Sequence, residues 1–263
     1  VILATDGDFN VGITSQRELQ GFVERKRDQG IFLSVLGFGQ GNYQDALMQS
    51  LAQNGNGVAA YIDTLSEAQK VLVDEATSTL FPIAKDVKIQ VEFNPATVAE
   101  YRLIGYETRR LNREDFNNDA VDAGDVGAGH TVTALYEITP AGSDVRQIED
   151  RRYAPTATRP EGRGSEYAFV RIRYKLPQEE DSRLITRPVT TGDVTTNDGE
   201  TGFATAVAGF AQLLKGGRYT GDYDYDDVIE LAQQTKGPDR FGYRTEFIQL
   251  VRKAKTAAAM QVR

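Results

Sequence analysis

The stretch VILATDGDFNVG, residues 1–12, decides the fold of the first part of the chain. An apolar run, Val1-Ile2-Leu3, leads directly into the polar cluster Thr5-Asp6-Gly7-Asp8. A strand that is apolar on both faces is typical of a parallel sheet covered by helices, and such a strand needs neighbouring strands. Because this run has neither a start methionine nor a polar lead, we expect the chain to be a C-terminal fragment of a longer protein.

Strands and helices are predicted to alternate over residues 1–82. Apolar runs at 31–36 and 58–62 indicate two further buried strands. Helices are predicted over about 15–29, 43–53 and 64–80. Two of these helices begin with capping-box spacing, since Ser15 and Thr64 each precede a glutamate by three residues. This order predicts a parallel, Rossmann-like α/β sheet with helices on both faces.

The hydrophobic period changes after Pro82. Between residues 87 and 93, apolar residues alternate with Lys88, Gln90 and Glu92, which predicts a half-buried strand. Further strands are predicted at 101–106, 131–138, 167–176 and 183–189. We therefore expect an antiparallel β-sandwich over residues 83–190.

A helical period returns after the polar linker at 190–200. Two apolar stripes at helical spacing are predicted to face inward: Phe203, Val207, Phe210 and Leu214, and then Phe247, Leu250, Val251 and Ala254. The predicted organisation therefore has three parts. These are an α/β part at 1–82, a β-sandwich at 83–190, and a linker with a small helical segment at 191–263.

The amino-acid composition argues against several classes of function. The 263 residues carry a net charge of -8, and a nucleic-acid-binding protein normally has a basic face, so we expect no nucleic-acid partner. Cysteine is absent, which excludes disulfides, thiolate metal sites and thiol nucleophiles. No apolar run approaches the roughly 18 to 20 residues that a membrane-spanning helix needs.

Asp6 is the main candidate for a metal ligand. In an open parallel sheet, ligands bind beyond the carboxyl ends of the strands, and Asp6 is predicted to lie at such an end beside the Thr5 hydroxyl. Carboxylate oxygens suit Mg²⁺. The alternative is a plain turn in which Asp6 accepts hydrogen bonds from nearby backbone N–H groups.

Long stretches of the sequence resemble one bacterial family. VILATDGDFNVG resembles the fourth strand of a von Willebrand factor type A domain and the third segment of its metal-ion-dependent adhesion site. IFLSVLGFGQGNYQDALMQSLAQNGNGVAAYIDTLSEAQKVL resembles that domain's last two strands and last helices. LIGYETRRLNREDFNNDAVDAGDVGAGH and GYRTEFIQLVRKA resemble the C-terminal region of a bacterial family of von Willebrand type A domain lipoproteins. The resemblance covers essentially the whole chain and implies that residues 1–82 are the second half of a von Willebrand type A domain.

The resemblance also implies a Mg²⁺ site. In the family this site combines a D-x-S-x-S segment, a threonine from a later loop and the aspartate of T-D-G. The D-x-S-x-S segment is absent here, and only Asp6 matches, with Thr5 and Asp8 adjacent. In such domains this aspartate typically acts through a water molecule. A single carboxylate does not offset the free-energy cost of removing water ligands from Mg²⁺. We therefore expect the metal site to be complete only in the full-length protein.

The function implied by the resemblance is protein binding without catalysis. The expected module belongs to the bacterial cell envelope, as a periplasmic or surface-exposed lipoprotein, and binds an acidic residue of a partner through the metal. The lipid anchor is expected to precede this chain, and the strand at residues 1–5 is expected to pair with another chain or with a preceding segment. The alternative is an accessory assembly factor for a metal-dependent or ATPase complex.

Four other segments have simpler interpretations. The run Asp115–Asp119 lacks the glycine and glutamate of a calcium loop and is expected to be a polar sandwich loop. The acidic run Asp222–Asp227 is expected to begin a helix. The glycines at 124–129 predict a turn rather than a phosphate loop. His130 is the only histidine and no G-x-S-x-G motif occurs, so no catalytic role is expected for it.

Overall fold

The chain forms two compact units. In this computed structural model the described residues are 1–6, 15–39, 44–75, 81–105, 110–148, 165–195 and 199–261. The first unit comprises Val1–Lys88, Asn117–Thr131 and Arg173–Arg183, and the second comprises Ile89–Phe116, Val132–Ile172 and Leu184–Arg263. The division into parts at residues 82 and 190 stays a prediction. Within the described ranges, no helix combines the length and the apolar character that crossing a bilayer requires.

The first unit contains a three-stranded parallel sheet in the order β1-β2-β3. Its strands are β1 (Ile2–Thr5), β2 (Ser34–Phe38) and β3 (Ala59–Ile62). Thr5 lies opposite Gly37, so β1 and β2 end close together. Strand β1 is an edge of this sheet as far as the chain is described, and its pairing with a further strand stays a prediction.

Three helices alternate with these strands, which confirms the predicted α/β pattern. They are α1 (Gln16–Arg27), α2 (Asp45–Asn54) and α3 (Leu65–Gln69), and α3 continues as the π-helical turn Lys70–Asp74. The buried core of this unit brings Val23, Met48 and Leu51 from the helices onto Val35 of β2. The last helix was predicted to reach residue 80, but residues 76–80 lie outside the described ranges.

A glycine allows α2 to connect to β3 beside the start of β2. A Cβ atom at Gly57 would lie 2.0 Å from the carbonyl oxygen of Leu33, so no other residue fits there without a backbone shift. Of the two predicted caps, Thr64 accepts a hydrogen bond from the Glu67 N–H at 3.2 Å. Ser15 lies at the N-cap of α1 but makes no capping bond with its side chain.

The remaining strands are antiparallel. They are β4 (Pro82–Phe93), β5 (Val98–Ile104), β6 (Gly124–Gly127), β7 (Leu135–Pro140), β8 (Glu166–Lys175) and β9 (Arg183–Thr190). Four of them form a sheet in the order β6-β4-β8-β9, and β5 and β7 form a two-stranded ribbon. The antiparallel character is confirmed, and the packing of two layers into a sandwich stays a prediction.

The interpretation of residues 124–129 as a turn was wrong for its first part. Residues 124–127 form β6, which pairs with the start of β4, with Val126 opposite Ala84. A four-residue strand of two glycines, an aspartate and a valine has no alternating pattern of its own. Strand β6 forms because it pairs with β4. The donors and acceptors of this pairing are backbone N–H and C=O groups, so the pairing needs no pattern of side chains.

The predicted faces of β4 are partly wrong as well. Lys88 was placed on the polar side of the strand but is only 2% exposed, whereas Ile89 is 44% exposed. The ammonium group of Lys88 donates to the carbonyl oxygen of Asn118, and this bond allows the cation to be buried. Register shifts between Pro82 and Val87 interrupt the regular alternation just before this point.

The C-terminal helices form a core of their own. They are α4 (Gly199–Leu214), α5 (Tyr225–Thr235) and α6 (Tyr243–Gln261). Their shared buried residues are Ala206, Phe210, Val228, Ala232, Ile248 and Val251. Phe210 and Val251 were predicted to face inward, but Val207, Leu214 and Leu250 are 41%, 61% and 52% exposed. The buried face of α4 is therefore centred on Ala206 and Phe210.

Candidate functional site

Asp6 lies at the carboxyl edge of the parallel sheet. It directly follows β1 and its side chain is exposed, while Thr5 is half-buried at the end of the strand. The predicted neighbour Asp8 lies outside the described residues. Since Thr5 pairs with Gly37, the end of β2 is the nearest strand end to Asp6. The sheet therefore presents Asp6 at the end where open parallel sheets bind ligands.

A second carboxylate segment follows β3 at the same edge. The Glu67 carboxylate accepts a hydrogen bond from the Asp63 N–H at 2.9 Å, which completes the cap at the start of α3. Burial, opposed by this backbone bond and reinforced by the Asp63 charge, raises the pKa of Glu67 above its usual value. These groups hold the helix start, so the structure gives them a capping role.

The described residues do not by themselves form a metal cage. Within the described ranges, no three aspartate, glutamate, histidine or cysteine side chains are grouped so that they could hold an ion. Asp6 and Thr5 provide one carboxylate and one hydroxyl. These two ligands are too few to replace the water ligands that Mg²⁺ would lose on binding. The described residues alone therefore do not complete a Mg²⁺ site.

The structure reveals a partly buried charge cluster that sequence reasoning missed. We call it the acid–lysine cluster; it consists of Asp86, Lys88, Asp119, Asp122, Asp125, Arg173 and Lys175. All of these residues belong to the first unit. They come from β4, β6, β8 and the loop that precedes β6.

Asp119 is the best-bonded carboxylate of the cluster. It accepts hydrogen bonds from the Arg173 guanidinium at 3.1 Å and from the Ser182 hydroxyl at 2.7 Å. These bonds, with the Arg173 charge, hold the pKa of Asp119 well below its ordinary value. The Lys175 ammonium donates to the Asp119 carbonyl oxygen at 2.8 Å and forms an ion pair with Asp86 at 2.8 Å.

The surroundings of Asp125 disfavour the ionised form of its carboxylate. One of its oxygens accepts from the Asp86 N–H at 3.1 Å, and Asn56 donates to the other at 3.4 Å. Burial raises its pKa to about 6, and the charges of Asp86 and Asp122 act in the same direction. Asp86 itself has a φ of 51°, a left-handed conformation that aspartate tolerates better than most residues.

Asp122 connects the cluster to the helical layer of the first unit. Its carboxylate forms an ion pair with Arg27 of α1 at 3.2 Å, and Asn56 also donates to it at 3.4 Å. Burial raises the pKa of Asp122, although Arg27 opposes this shift. The cluster thus fastens the start of β4 and the loop before β6 to residues near α1 and α2.

Charge balance gives the acid–lysine cluster a structural role. Its carboxylates face Arg173, Lys175 and Arg27, so cations accompany the partly buried acids. Sequence could not reveal these contacts, because partners such as Asn56 and Asp125 are 69 residues apart. The available signal was the density of aspartate and asparagine in residues 115–125.

The other candidate residues have the following places. The acidic run at 222–227 begins α5, where Asp224 accepts from the Asp226 and Asp227 N–H groups, so the helix-start interpretation is confirmed. In the run at 115–119, Phe116 is buried in a 3₁₀ turn, and Asp119 enters the acid–lysine cluster. His130 is exposed.

Comparisons with known proteins identify the family. The family model described as "Uncharacterized protein YfbK, C-terminal" matches residues 78–257. The chain is 46% identical over 252 residues to "Uncharacterized protein YfbK" of Escherichia coli (strain K12), an alignment that covers 95% of this chain and 44% of the relative. This chain therefore spans less than half the length of that relative.

The chain is also similar to a solved structure. That structure is "von Willebrand factor type A from Catenulispora acidiphila", with a TM-score of 0.42, 15% identity, and coverage of 96% of this chain and 57% of that one. The fold assignment rests on the elements described above. The family model covers more than half of the chain, and the chain belongs to the YfbK C-terminal family.

Proposed function

We propose that this chain is part of a protein-binding module of the bacterial cell envelope whose binding is assisted by Mg²⁺. The observation that carries the proposal is the position of Asp6, an exposed carboxylate directly after β1 at the carboxyl edge of a parallel sheet. Ligands of open parallel sheets bind at this edge. Asp6, with Thr5 beside it, would contribute oxygen to a site whose other ligands lie outside this chain.

Two further observations support the proposal. The parallel strands follow the chain in the order β1-β2-β3 with helices between them, as in the last strands of the domain that residues 1–82 resemble. The matched relative is more than twice as long as the part that aligns, since the alignment covers 44% of it. A full-length protein of that size has room for the D-x-S-x-S segment that the metal site needs.

The partner and the location are parts of the same proposal. A site with one open position on Mg²⁺ would suit a partner protein that presents an acidic residue. A lipid anchor preceding this chain would hold the module at the envelope. The antiparallel strands would act as a spacer or as a second contact surface, and no catalytic step is assigned to any residue.

Calorimetric titration with Mg²⁺ and Mn²⁺ tests the proposal. The full-length gene product should bind either ion saturably, and Asp6→Ala should weaken binding by about tenfold or more because a carboxylate oxygen is lost. Asp63→Ala is the matched control, since Asp63 is an exposed acid after β3 at the same edge. Equal effects of the two substitutions, or no ion binding at all, would contradict the assignment of Asp6.

A further inference from the structure

Three carboxyl groups of the acid–lysine cluster meet around one amide side chain. We call Asp86, Asp122 and Asp125 the carboxylate triad. The Asn56 amide nitrogen donates to Asp122 and to Asp125, at 3.4 Å in each case, so one donor serves two acids. The carboxyl groups of Asp86 and Asp122 lie within hydrogen-bonding reach of each other. All of these residues belong to the first unit.

The contact between Asp86 and Asp122 depends on a proton. An ionised carboxylate only accepts hydrogen bonds, so two carboxyl groups bond to each other only while one of them keeps its proton. When both are ionised, two like charges stand side by side and repel each other. The packing of the triad is therefore favourable in its protonated form and unfavourable in its fully ionised form.

The cations beside the triad are too few to neutralise it. Lys175 forms an ion pair with Asp86 at 2.8 Å, and Arg27 forms one with Asp122 at 3.2 Å. Arg27 is shared, because it also pairs with Asp28 at 3.0 Å. The other charged groups around these residues are Lys88, Asp119, Arg173 and Glu180.

Asp125 is the acid of the triad with the least compensation. Within the described ranges its hydrogen bonds come from two neutral donors, the Asp86 N–H and the Asn56 amide. The nearby cations are engaged elsewhere, since Arg173 pairs with Asp119 and Lys88 donates to a backbone carbonyl. A proton on Asp125 is therefore the simplest way to remove its unmatched charge.

The triad connects segments that are far apart in the chain. Asp86 of β4 accepts from the Ala123 N–H at 3.2 Å, and its own N–H donates to Asp125 of β6. The same carboxylates reach the helical layer through Asn56, just after α2, and through Arg27, the last residue of α1. The triad thus lies where the parallel sheet with its helices continues into the antiparallel strands.

We propose that the carboxylate triad is a proton-operated clasp, which fastens residues 122–125 and the start of β4 to α1 and the end of α2. The clasp closes under acidic conditions and loosens near neutral pH. Protons bound by the triad remove the repulsion among its acids, and their loss restores it. The clasp needs no metal and is independent of Asp6.

The direction of the response follows from the two states of the clasp. In the open state an aspartate has a pKa of about 4. In the closed state burial raises the pKa of Asp125 to about 6, and burial raises the pKa of Asp122 although Arg27 opposes this shift. Between about pH 4 and pH 6 the closed state therefore holds more protons, and closing becomes less favourable as pH rises through this window.

Hydrogen–deuterium exchange followed by mass spectrometry tests the clasp in the full-length gene product. The informative peptides contain the Asp86 and Ala123 N–H groups, which the triad holds. Their protection, corrected for the intrinsic pH dependence of exchange, should fall about tenfold between pH 4.5 and pH 7.5. A shift of about two pKa units sets a ceiling of about a hundredfold, and partial exposure of the triad reduces it.

The second unit contains a matched internal control. The Arg244 N–H also donates to an aspartate carboxylate, that of Asp239, at 3.1 Å. Burial alone would raise the pKa of Asp239, but hydrogen bonds from Thr245 and Arg244 lower it below its ordinary value. The protection of this amide should therefore stay constant from pH 4.5 to pH 7.5.

Two substitutions distinguish a proton-operated clasp from a plain structural brace. Asp125→Asn should remove most of the pH dependence and keep the protection at pH 7.5 close to its acidic value. Arg27→Gln removes the cation that opposes protonation of Asp122, so it should move the midpoint of the transition to higher pH. Asp222→Asn, at an exposed acid, should change neither, and circular dichroism confirms that each variant is folded.

Three results would overturn the inference. One is protection of the two peptides that does not change between pH 4.5 and pH 7.5. Another is a pH dependence that Asp125→Asn leaves intact. The third is a loss of protection in Arg27→Gln that is equal at every pH, because a brace without proton binding would respond in that way.

Discussion

Replacing Asp125 with asparagine should stabilise the protein at neutral pH. The Asp125 carboxylate is half-buried beside the carboxylates of Asp86 and Asp122, and burial raises its pKa to about 6. Asparagine keeps an oxygen that can accept from the Asp86 N–H, which lies 3.1 Å from Asp125. The substitution therefore removes an unfavourable charge while leaving the backbone bond in place.

The direction of the pH dependence follows from the raised pKa. An aspartate in an unfolded chain has a pKa of about 4. Between about pH 4 and pH 6 the folded state therefore holds more protons than the unfolded state. The free energy of unfolding then falls as pH rises through this window. Asp125 contributes its full stability below pH 4, and this contribution is lost above about pH 6.

The magnitude can be worked from the same shift. Each pKa unit corresponds to about 1.36 kcal/mol, so a shift of about two units corresponds to about 2.7 kcal/mol. This is an upper value for the effect on stability. Asp125 is partly exposed, and solvent screening reduces the effect to about 1–2 kcal/mol. The stability difference between Asp125→Asn and the unaltered protein should therefore grow by that amount between pH 4 and pH 7.

Urea unfolding followed by circular dichroism measures this difference. The two proteins are compared at several pH values across the window, and Asp222→Asn, which replaces an exposed carboxylate, is the matched control. The control should give the same pH dependence as the unaltered protein. A constant difference between Asp125→Asn and the unaltered protein from pH 4 to pH 7 would refute the reasoning.

Three further substitutions and one control test the packing and the capping. Gly57→Ala should cost about 3 kcal/mol in urea unfolding, because its Cβ would lie 2.0 Å from the Leu33 carbonyl oxygen; Gly124→Ala, which meets nothing within 4 Å, should be close to neutral. Met48→Ala should cost about 2–5 kcal/mol in the same assay, because Met48 is fully buried. Asp224→Ala should cost about 1 kcal/mol in thermal unfolding, because it removes the cap of α5. Changes below about 0.5 kcal/mol in the last two would contradict the packing and capping described.

The sequence pattern correctly predicted the elements whose stabilising contacts join residues close together in the sequence. The strand–helix alternation of the first unit was predicted because its strands are continuous apolar runs and its helices begin near recognisable caps, such as Thr64. The start of α5 was predicted because carboxylates such as Asp224 cap the helix within a few residues. In these places the partners are close in sequence, so residue type and spacing carry the information.

Features that depend on distant partners were missed. Strand β6 has no pattern of its own and forms because the start of β4 pairs with it. Lys88 was placed on the polar face, but its contact with the Asn118 carbonyl 30 residues away buries it. The acid–lysine cluster likewise assembles from residues of several elements, such as Asp119 and Arg173, which are 54 residues apart.

The candidate site is predicted only in part for the same reason. The position of Asp6 after an apolar run was enough to place it at the carboxyl edge of the sheet. The described residues include no group of three aspartate, glutamate, histidine or cysteine side chains that could hold an ion, so the identity of the remaining ligands rests on the resemblance. The groove between α4 and the β5–β7 ribbon was not foreseen, because its lining combines residues of β5, β7 and α4.

The most direct test of the central claim is a crystal of the full-length gene product soaked in Mn²⁺ and measured for anomalous scattering. The account predicts one Mn²⁺ peak beyond the carboxyl end of β1. The peak should lie about 2 Å from an Asp6 carboxylate oxygen if the bond is direct, or about 4 Å away if a water intervenes. A peak bound elsewhere in the protein with none near Asp6, or no bound Mn²⁺ at saturating concentration, would contradict the claim.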